Sequence, residues 1–154
     1  MTLTRRDPET PASGAWSGGV HRLPVRVYYE DTDFTGVVYY ANYLKFLERG
    51  RTDALRSAGV RHEDLLRLDP PLGFAVRRIE AEYLKPARID DALTIETRFS
   101  AARGARLSVV QRVLSGDAVL LTAAVDAACI DLKGRPKRLP KAVADAIAGM
   151  SKPA

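Results

Sequence analysis

The sequence predicts an α+β domain in which an antiparallel sheet of about five strands is covered by one long amphipathic helix. Three observations carry that expectation. Tyr43, Phe46, Leu47, Ala54, Leu55 and Ala58 recur at helical spacing, while Lys45, Glu48, Arg49, Asp53 and Arg56 lie mostly off the stripe. Four strand-like segments follow without a second long helix: GFAVRRIEAEYL, DALTIETRFSA, ARLSVVQRVLS and AVLLTAAVDAACIDL. The chain has 154 residues, enough for one domain with a core and too few for two ordinary ones.

Taken in order, residues 1–20 read as a flexible tail, and residues 21–154 as the single domain. The tail holds a twin arginine, Arg5 and Arg6, but Asp, Pro, Glu, Thr and Gly follow where an export signal needs an apolar run. LPVRVYY, from Leu23 to Tyr29, has strand composition, and an acidic turn containing Gly36 comes next. The long helix opens near Asn42, a good N-cap residue, and stops at Gly59. Gly50 falls inside the apolar stripe at a cost of about 1 kcal/mol against alanine. Close packing of another element on the helix would explain it. RHEDLLRLDPP reads as a short helical turn ended by Pro70 and Pro71. The four strand segments, separated by KPARID, ARGA and SGD, read as an antiparallel meander. LPKAVADAIAGM closes the chain as a short helix with Pro140 near its start.

The composition, 46% hydrophobic and 28% charged, is that of a soluble globular protein, and no apolar run reaches the length of a membrane span. A single cysteine, Cys129, excludes an internal disulfide, and its strand context reads as a buried inert thiol. No Cys/His cluster has metal-ligand spacing, and no cofactor motif is present. A cytoplasmic protein is expected. The net charge of +5 suits a phosphate-bearing ligand, an acidic surface or nucleic acid. No nucleic-acid motif accompanies it, so nucleic acid is not expected as a partner.

The chemistry concentrates in YYEDTDFTGVVYYANYLKFLERGR, Tyr28 to Arg51, where Glu30, Asp31 and Asp33 precede an uncharged run rich in aromatics. A reactive carboxylate needs a partly dry wall and nearby N–H donors. The first N–H groups of the following helix are unpaired and carry partial positive charge. The alternative is that these acids only form the turn by accepting from nearby N–H groups.

The run VRVYYEDTDFTGVVYYANYLKFLERGR closely resembles the opening motif of the 4-hydroxybenzoyl-CoA-thioesterase-like hotdog family, and within it the Tol-Pal-associated acyl-CoA thioesterase branch. The likeness continues through EYLKPARIDDALTIET and SVVQRV to KGRPKRLP, from about His21 to the C-terminal helix. It implies a hotdog fold, with the sheet wrapped around the long helix. It also implies a homodimer or homotetramer that hydrolyses the thioester of an acyl-coenzyme A, with an acyl-carrier protein as a further candidate partner. The second aspartate of the D-x-D pattern, Asp33, would be the catalytic carboxylate, and the backbone N–H of Tyr40 would polarise the thioester carbonyl. The Tol-Pal branch commonly has histidine where this chain has Tyr40, whereas the 4-hydroxybenzoyl-CoA enzymes carry tyrosine.

On that reading Asp33 serves as general base or as nucleophile, and an oxyanion at the helix start meets preorganised donors worth about 3–4 kcal/mol each. Glu30 and Asp31 remain turn or solvated residues. Asn42 is an N-cap or a contact at the pocket wall, and Phe74 is a core residue or, since the family sets its strand near the acyl group, a lining of the acyl pocket. Glu48 pairs with a neighbouring arginine or stands as a second acid. Arg103, Arg106 and Lys137, within a basic set that includes Lys133, Arg135 and Arg138, would hold the ligand's phosphates or form a solvated rim. Two other functions compete. A hotdog dehydratase needs a catalytic histidine, and neither His21 nor His62 is placed for one. A binding or scaffold protein of a lipid-synthesis or cell-envelope complex, with little activity, is the non-enzymatic alternative. No G-x-S-x-G elbow is present for a serine hydrolase.

Overall fold

The computed structural model describes residues 11–153. In chain order these form β1 (Ala15–Ser17), β2 (Val20–Arg26), a 3-10 turn (Tyr29–Asp31), α1 (Asn42–Ser57) and α2 (His62–Leu66). There follow β3 (Leu72–Tyr83), β4 (Ala92–Arg103), β5 (Arg106–Ser115), β6 (Ala118–Asp131) and α3 (Lys141–Met150). The six strands make one antiparallel sheet in the order β1-β2-β4-β5-β6-β3, and α1 lies across it as the sequence predicts. Among the described residues no helix is long and apolar enough to cross a membrane.

Two expectations are corrected. The strands are not a simple meander: β4, β5 and β6 are, but β3 pairs with β6 and forms the far edge of the sheet. The link 84–91 is tied to the start of α1 rather than folded into a hairpin. There Ala87 O accepts from Val38 N at 2.8 Å, and Tyr43 Oη accepts from Ala87 N at 3.1 Å. The tail over 1–20 is folded where the described residues reach it. Ala15–Ser17 pairs with the start of β2, Trp16 Nε1 donates to Ala54 O at 3.0 Å, and Gly14 N donates to Asp53 at 2.8 Å. The Arg5–Arg6 pair lies outside the described residues. His21, expected ahead of the first strand, is buried inside β2 with Nε2 2.9 Å from Asp53 Oδ2.

The buried stripe of α1 divides between two apolar clusters. Tyr43, Phe46 and Leu47 pack with Val27, Leu93, Ile95 and Leu121, and Ala54 and Leu55 pack with Phe99, Leu107, Val125 and Cys129. Each fully buried large side chain contributes roughly 1.5–3 kcal/mol, so the N-terminal half of α1 is firmly seated beside the loop that precedes it. Between the clusters runs a polar seam: Gln111 Nε2 donates to Leu47 O and to Thr97 Oγ1, both at 2.9 Å, and Arg51 Nη1 donates to Gln111 Oε1 at 3.0 Å.

Gly50 lies over that seam, which explains the gap in the apolar stripe. A Cβ there would sit 2.6 Å from Ile95 Cγ2 and 3.1 Å from Thr97 Oγ1. Ile95 is fully buried and cannot move aside freely. Gly50→Val is therefore expected to destabilise the fold by about 1–3 kcal/mol despite its gain in backbone rigidity. Urea denaturation read at the midpoint checks this, and an unchanged midpoint would contradict the close contact.

Candidate active site

β2 ends at Arg26, and the chain reaches α1 through the 3-10 turn and the loop 32–41. The turn at Asp33 is closed by Asp33 N donating to Val37 O at 2.8 Å and Gly36 N donating to Asp33 O at 3.2 Å. Gly36 has φ of +80°, a left-handed conformation that glycine adopts without steric cost. Thr32 and Val38 form an antiparallel bridge, so the loop is a small closed device rather than a slack connection.

The two aspartates of the D-x-D motif have opposite surroundings. Asp33 is exposed in an open cavity of about 670 Å³ walled by Tyr29, Phe34, Tyr39 and Ile89. Its Oδ1 accepts from the Thr35 hydroxyl at 2.7 Å and from Thr35 N at 2.8 Å. Oδ2 makes no hydrogen bond of ordinary length among the described residues, and the N–H groups of Val37 and Asp33 add a weaker pull on the carboxylate. Thr35, the hydroxyl first and the N–H second, holds the Asp33 carboxyl below the usual carboxylate range. Asp31 is only 6% exposed, with both carboxylate oxygens engaged: Oδ2 accepts from Tyr28 N at 2.8 Å and Oδ1 from Asn42 Nδ2 at 2.9 Å. Of the two readings of Asp31, the turn residue holds, since it accepts from Tyr28 N across the 3-10 turn, and the solvated residue is corrected. One acid is built into the frame, and the other offers a free, ionised oxygen to the cavity. Glu30 is exposed, as expected of a solvated residue.

Asn42 is also corrected as a cap. The N-cap is Ala41, with no side-chain cap bond, and the amide of Asn42 is buried against Asp31. Tyr40 has an exposed ring set edge-on against Tyr39 at 4.9 Å, and its carbonyl accepts from Tyr83 Oη at 2.7 Å. Its N–H finds no acceptor among the described residues. Tyr40 lines a smaller pocket of about 240 Å³ with Tyr43 and Tyr83, next in the chain to the tyrosine that walls the Asp33 cavity. Sequence reasoning missed Thr35, although an acceptor aspartate two residues before a threonine is a recognisable turn pattern. It also missed Tyr83, whose partner is 43 residues away and left no local signal.

The remaining candidates lie elsewhere in the chain. Phe74 packs near the far end of α1, with its ring 6.1 Å from His62, on the wall of a small pocket that also includes Arg51 and Glu48. Glu48 is exposed and forms no ion pair among the described residues, so the expected pairing with arginine is not made. Arg103 and Arg106 face each other across the turn between β4 and β5. The Lys137–Arg138 segment runs alongside, with Leu139 N donating to Gly104 O at 2.8 Å, while Lys137 Nζ is 4.0 Å from Asp131. β4 begins beside the Asp33 loop, where Asp91 O accepts from Val27 N and Val37 bridges to Arg88. It carries Arg103 the length of a 12-residue strand away, about 40 Å. A single chain therefore gathers Asp33 and the Tyr39–Tyr40 pair, and separates them from Phe74 and the basic set.

The chain has clear relatives. A family model described as the thioesterase-like superfamily matches residues 27–147. The acyl-CoA thioester hydrolase YbgC of Escherichia coli is 44% identical over 124 residues, which cover 79% of this chain and 91% of that protein. The acyl-CoA thioesterase YbgC of Haemophilus influenzae is 44% identical over 122 residues, 79% of this chain and 89% of that one. The crystal structure of a probable thioesterase from Bartonella henselae matches with a TM-score of 0.76 at 46% identity, over 79% of this chain and 99% of that chain. Since the matched stretch runs through the Asp33 turn, α1 and every strand from β3 to β6, the chain belongs to the thioesterase-like superfamily and has its hotdog fold.

Proposed function

We propose that this thioester hydrolase acts on an acyl-coenzyme A, with Asp33 as the reacting carboxylate and the backbone N–H of Tyr40 as the donor to the carbonyl oxygen. One observation carries the assignment. Of the two motif aspartates only Asp33 combines an unengaged oxygen with an aromatic-walled cavity. Its Oδ2 can attack the carbonyl carbon, expelling the thiolate and leaving an acyl anhydride for water to cleave. It can equally take a proton from the water that attacks. In both routes the carbonyl oxygen gains negative charge, and an unpaired N–H near the start of α1 answers it.

A pairing of two copies along β3 would complete the rest of the site. β3 is a 12-residue edge strand whose outer N–H and C=O groups are a template for another strand. Arg77 and Arg78 occupy one half of its middle, and Glu80 and Glu82 the other. A two-fold antiparallel pairing centred on Ile79 sets Arg78 against Glu80 of the mate. It also lays the Leu72 end of one β3 beside the Tyr83 end of its mate. Phe74 and the basic β4–β5 turn of one protomer then lie at the same end as Asp33 of the other, which suits an acyl wall and a phosphate contact by Arg103, Arg106 and Lys137. Relatives named YbgC favour the Tol-Pal-associated branch, and a lone buried thiol at Cys129 fits a reducing cytoplasm.

Hydrolysis of a panel of acyl-CoA esters, short aliphatic, long aliphatic and hydroxybenzoyl, with free thiol as the readout, tests the proposal. Turnover of one class names the acyl group, and no turnover of any removes acyl-coenzyme A as the substrate.

The pH profile is a second test. The acid limb of kcat/KM reports the carboxylate in the free enzyme. Because the Thr35 bonds favour the ionised form, activity should persist as pH falls until below the ordinary carboxylate pKa of about 4. Thr35→Val removes the hydroxyl donor and raises the pKa, so the acid limb should move to higher pH. An unmoved limb would mean that another group titrates.

A further inference from the structure

We propose that Asp31 is a positioning residue for hydrolysis, the clamp that sets the spacing between the Asp33 carboxylate and the Tyr40 N–H; this rests on the assignment of those two groups above. Asp31 touches both ends of the loop that carries them. Its N–H donates to Tyr28 O at 3.0 Å, and its Oδ2 accepts from Tyr28 N at 2.8 Å, which fixes the exit from β2. Its carbonyl accepts from Tyr39 N at 2.9 Å, one residue before the proposed oxyanion donor. Its Oδ1 accepts from Asn42 Nδ2 at 2.9 Å, at the first residue of α1.

Comparison with the other buried acids shows why Asp31 is not an ordinary framework residue. Glu96 is paired with Arg22 and Arg112, and Asp131 accepts two backbone N–H bonds with Lys137 Nζ at 4.0 Å. Asp31, by contrast, has no cation within 4.0 Å among the described residues and is held by neutral donors alone. Burying a carboxylate in that way is unfavourable unless its geometry is useful, since a neutral side chain can close a turn. What this one supplies is a rigid, doubly accepting bridge between Tyr28 and Asn42, with loop 32–41 suspended between. Phe46 and Leu47 anchor the helix side and β2 pairing with β4 anchors the strand side, so the clamp joins two immobile bodies.

A misplacement of about 1 Å between reacting groups costs on the order of 10²-fold in rate. Asp31→Asn leaves one acceptor oxygen where two donors, Tyr28 N and Asn42 Nδ2, face the group, and Asn42→Asp sets two carboxylates face to face. Each single variant should lower kcat by about 10–10²-fold with KM within about twofold. The exchanged pair, Asp31→Asn with Asn42→Asp, restores one donor facing one acceptor and should recover most of kcat. Amide hydrogen exchange supplies the reading that does not depend on turnover: in Asp31→Asn it should rise within 32–41 and stay unchanged in α1 and the sheet. Unaltered kcat, or unaltered exchange in the loop, overturns the proposal. So does a loss of kcat that only follows the unfolded fraction, with exchange rising throughout. Asp33→Asn run in parallel separates the two levels. Full activity in Asp33→Asn removes the site itself, whereas an inactive Asp33→Asn beside a fully active Asp31→Asn removes only the clamp.

Discussion

Asp33→Asn is expected to lower kcat by about 10³-fold on the best acyl-CoA ester while leaving the melting temperature unchanged within error. The substitution is close to isosteric, and its amide oxygen can still accept both Thr35 bonds, so the turn closed by Gly36 and Val37 should persist. Asp33 is exposed, and an exposed change that keeps its hydrogen bonds usually moves stability by less than about 0.5 kcal/mol. Only the unengaged oxygen is altered, from an anionic acceptor to a neutral amide nitrogen. A base or nucleophile cannot survive that change, whereas a group that merely shapes the loop can. The fall should appear in kcat and kcat/KM alike, because the interaction removed is made with the reacting atoms. If more than about a tenth of the rate remains, the carboxylate is not part of the chemistry. The aromatic cavity would then be read as a binding surface, which is the non-enzymatic alternative.

How much of this was legible in the sequence depends on the range of each interaction. α1 was readable because its apolar positions repeat every turn, and Gly50 was readable as a close approach because a glycine in such a stripe needs a reason. What approaches it, the Thr97–Gln111 seam, comes from two strands distant in the chain and could not be named. The β3 edge was misread for a similar reason. Local turn signals in KPARID suggest a hairpin, but the bonds of Ala87 to Val38 and Tyr43 hold that segment across the helix start, and tertiary contacts overrode the turn propensity. The folded start of the chain was hidden because Ser13 and Gly14 are polar or small by composition and gain their order only from Asp53, on α1. Within the site, the family motif distinguished Asp33 from Asp31 by position. The physical distinction, free oxygen against buried bridge, rests on Asn42, Tyr28 and Thr35, whose bonding a linear reading cannot orient.

Mixing two inactive variants should restore activity, and this is the most demanding expectation for an assembly built on β3. If Asp33 of one protomer works with Phe74 of its mate, Asp33→Asn and Phe74→Arg are each inactive as homodimers. The first lacks the carboxylate at both sites, and the second places a charge in both acyl walls. In a mixed dimer, two-fold symmetry collects both substitutions at one site and leaves the other site native. Random exchange makes half of the dimers mixed, each with one working site of two, so about a quarter of the wild-type rate should return on unfolding and refolding the variants together. A site contained within one chain predicts no recovery, because every site would then carry one of the two substitutions. The same logic extends to the basic β4–β5 turn. Arg106→Glu should complement Asp33→Asn if the phosphates of the ligand are held across the interface, and its own defect should lie in KM rather than kcat, since the phosphates are remote from the reacting carbonyl. Recovery with Phe74→Arg but not with Arg106→Glu would keep the shared acyl wall and move the phosphate contact onto the chain that carries Asp33. Placing the acyl wall and the carboxylate on different protomers would also explain why Asp33 stands exposed in a single chain: the cavity around it has only the walls that one copy can build.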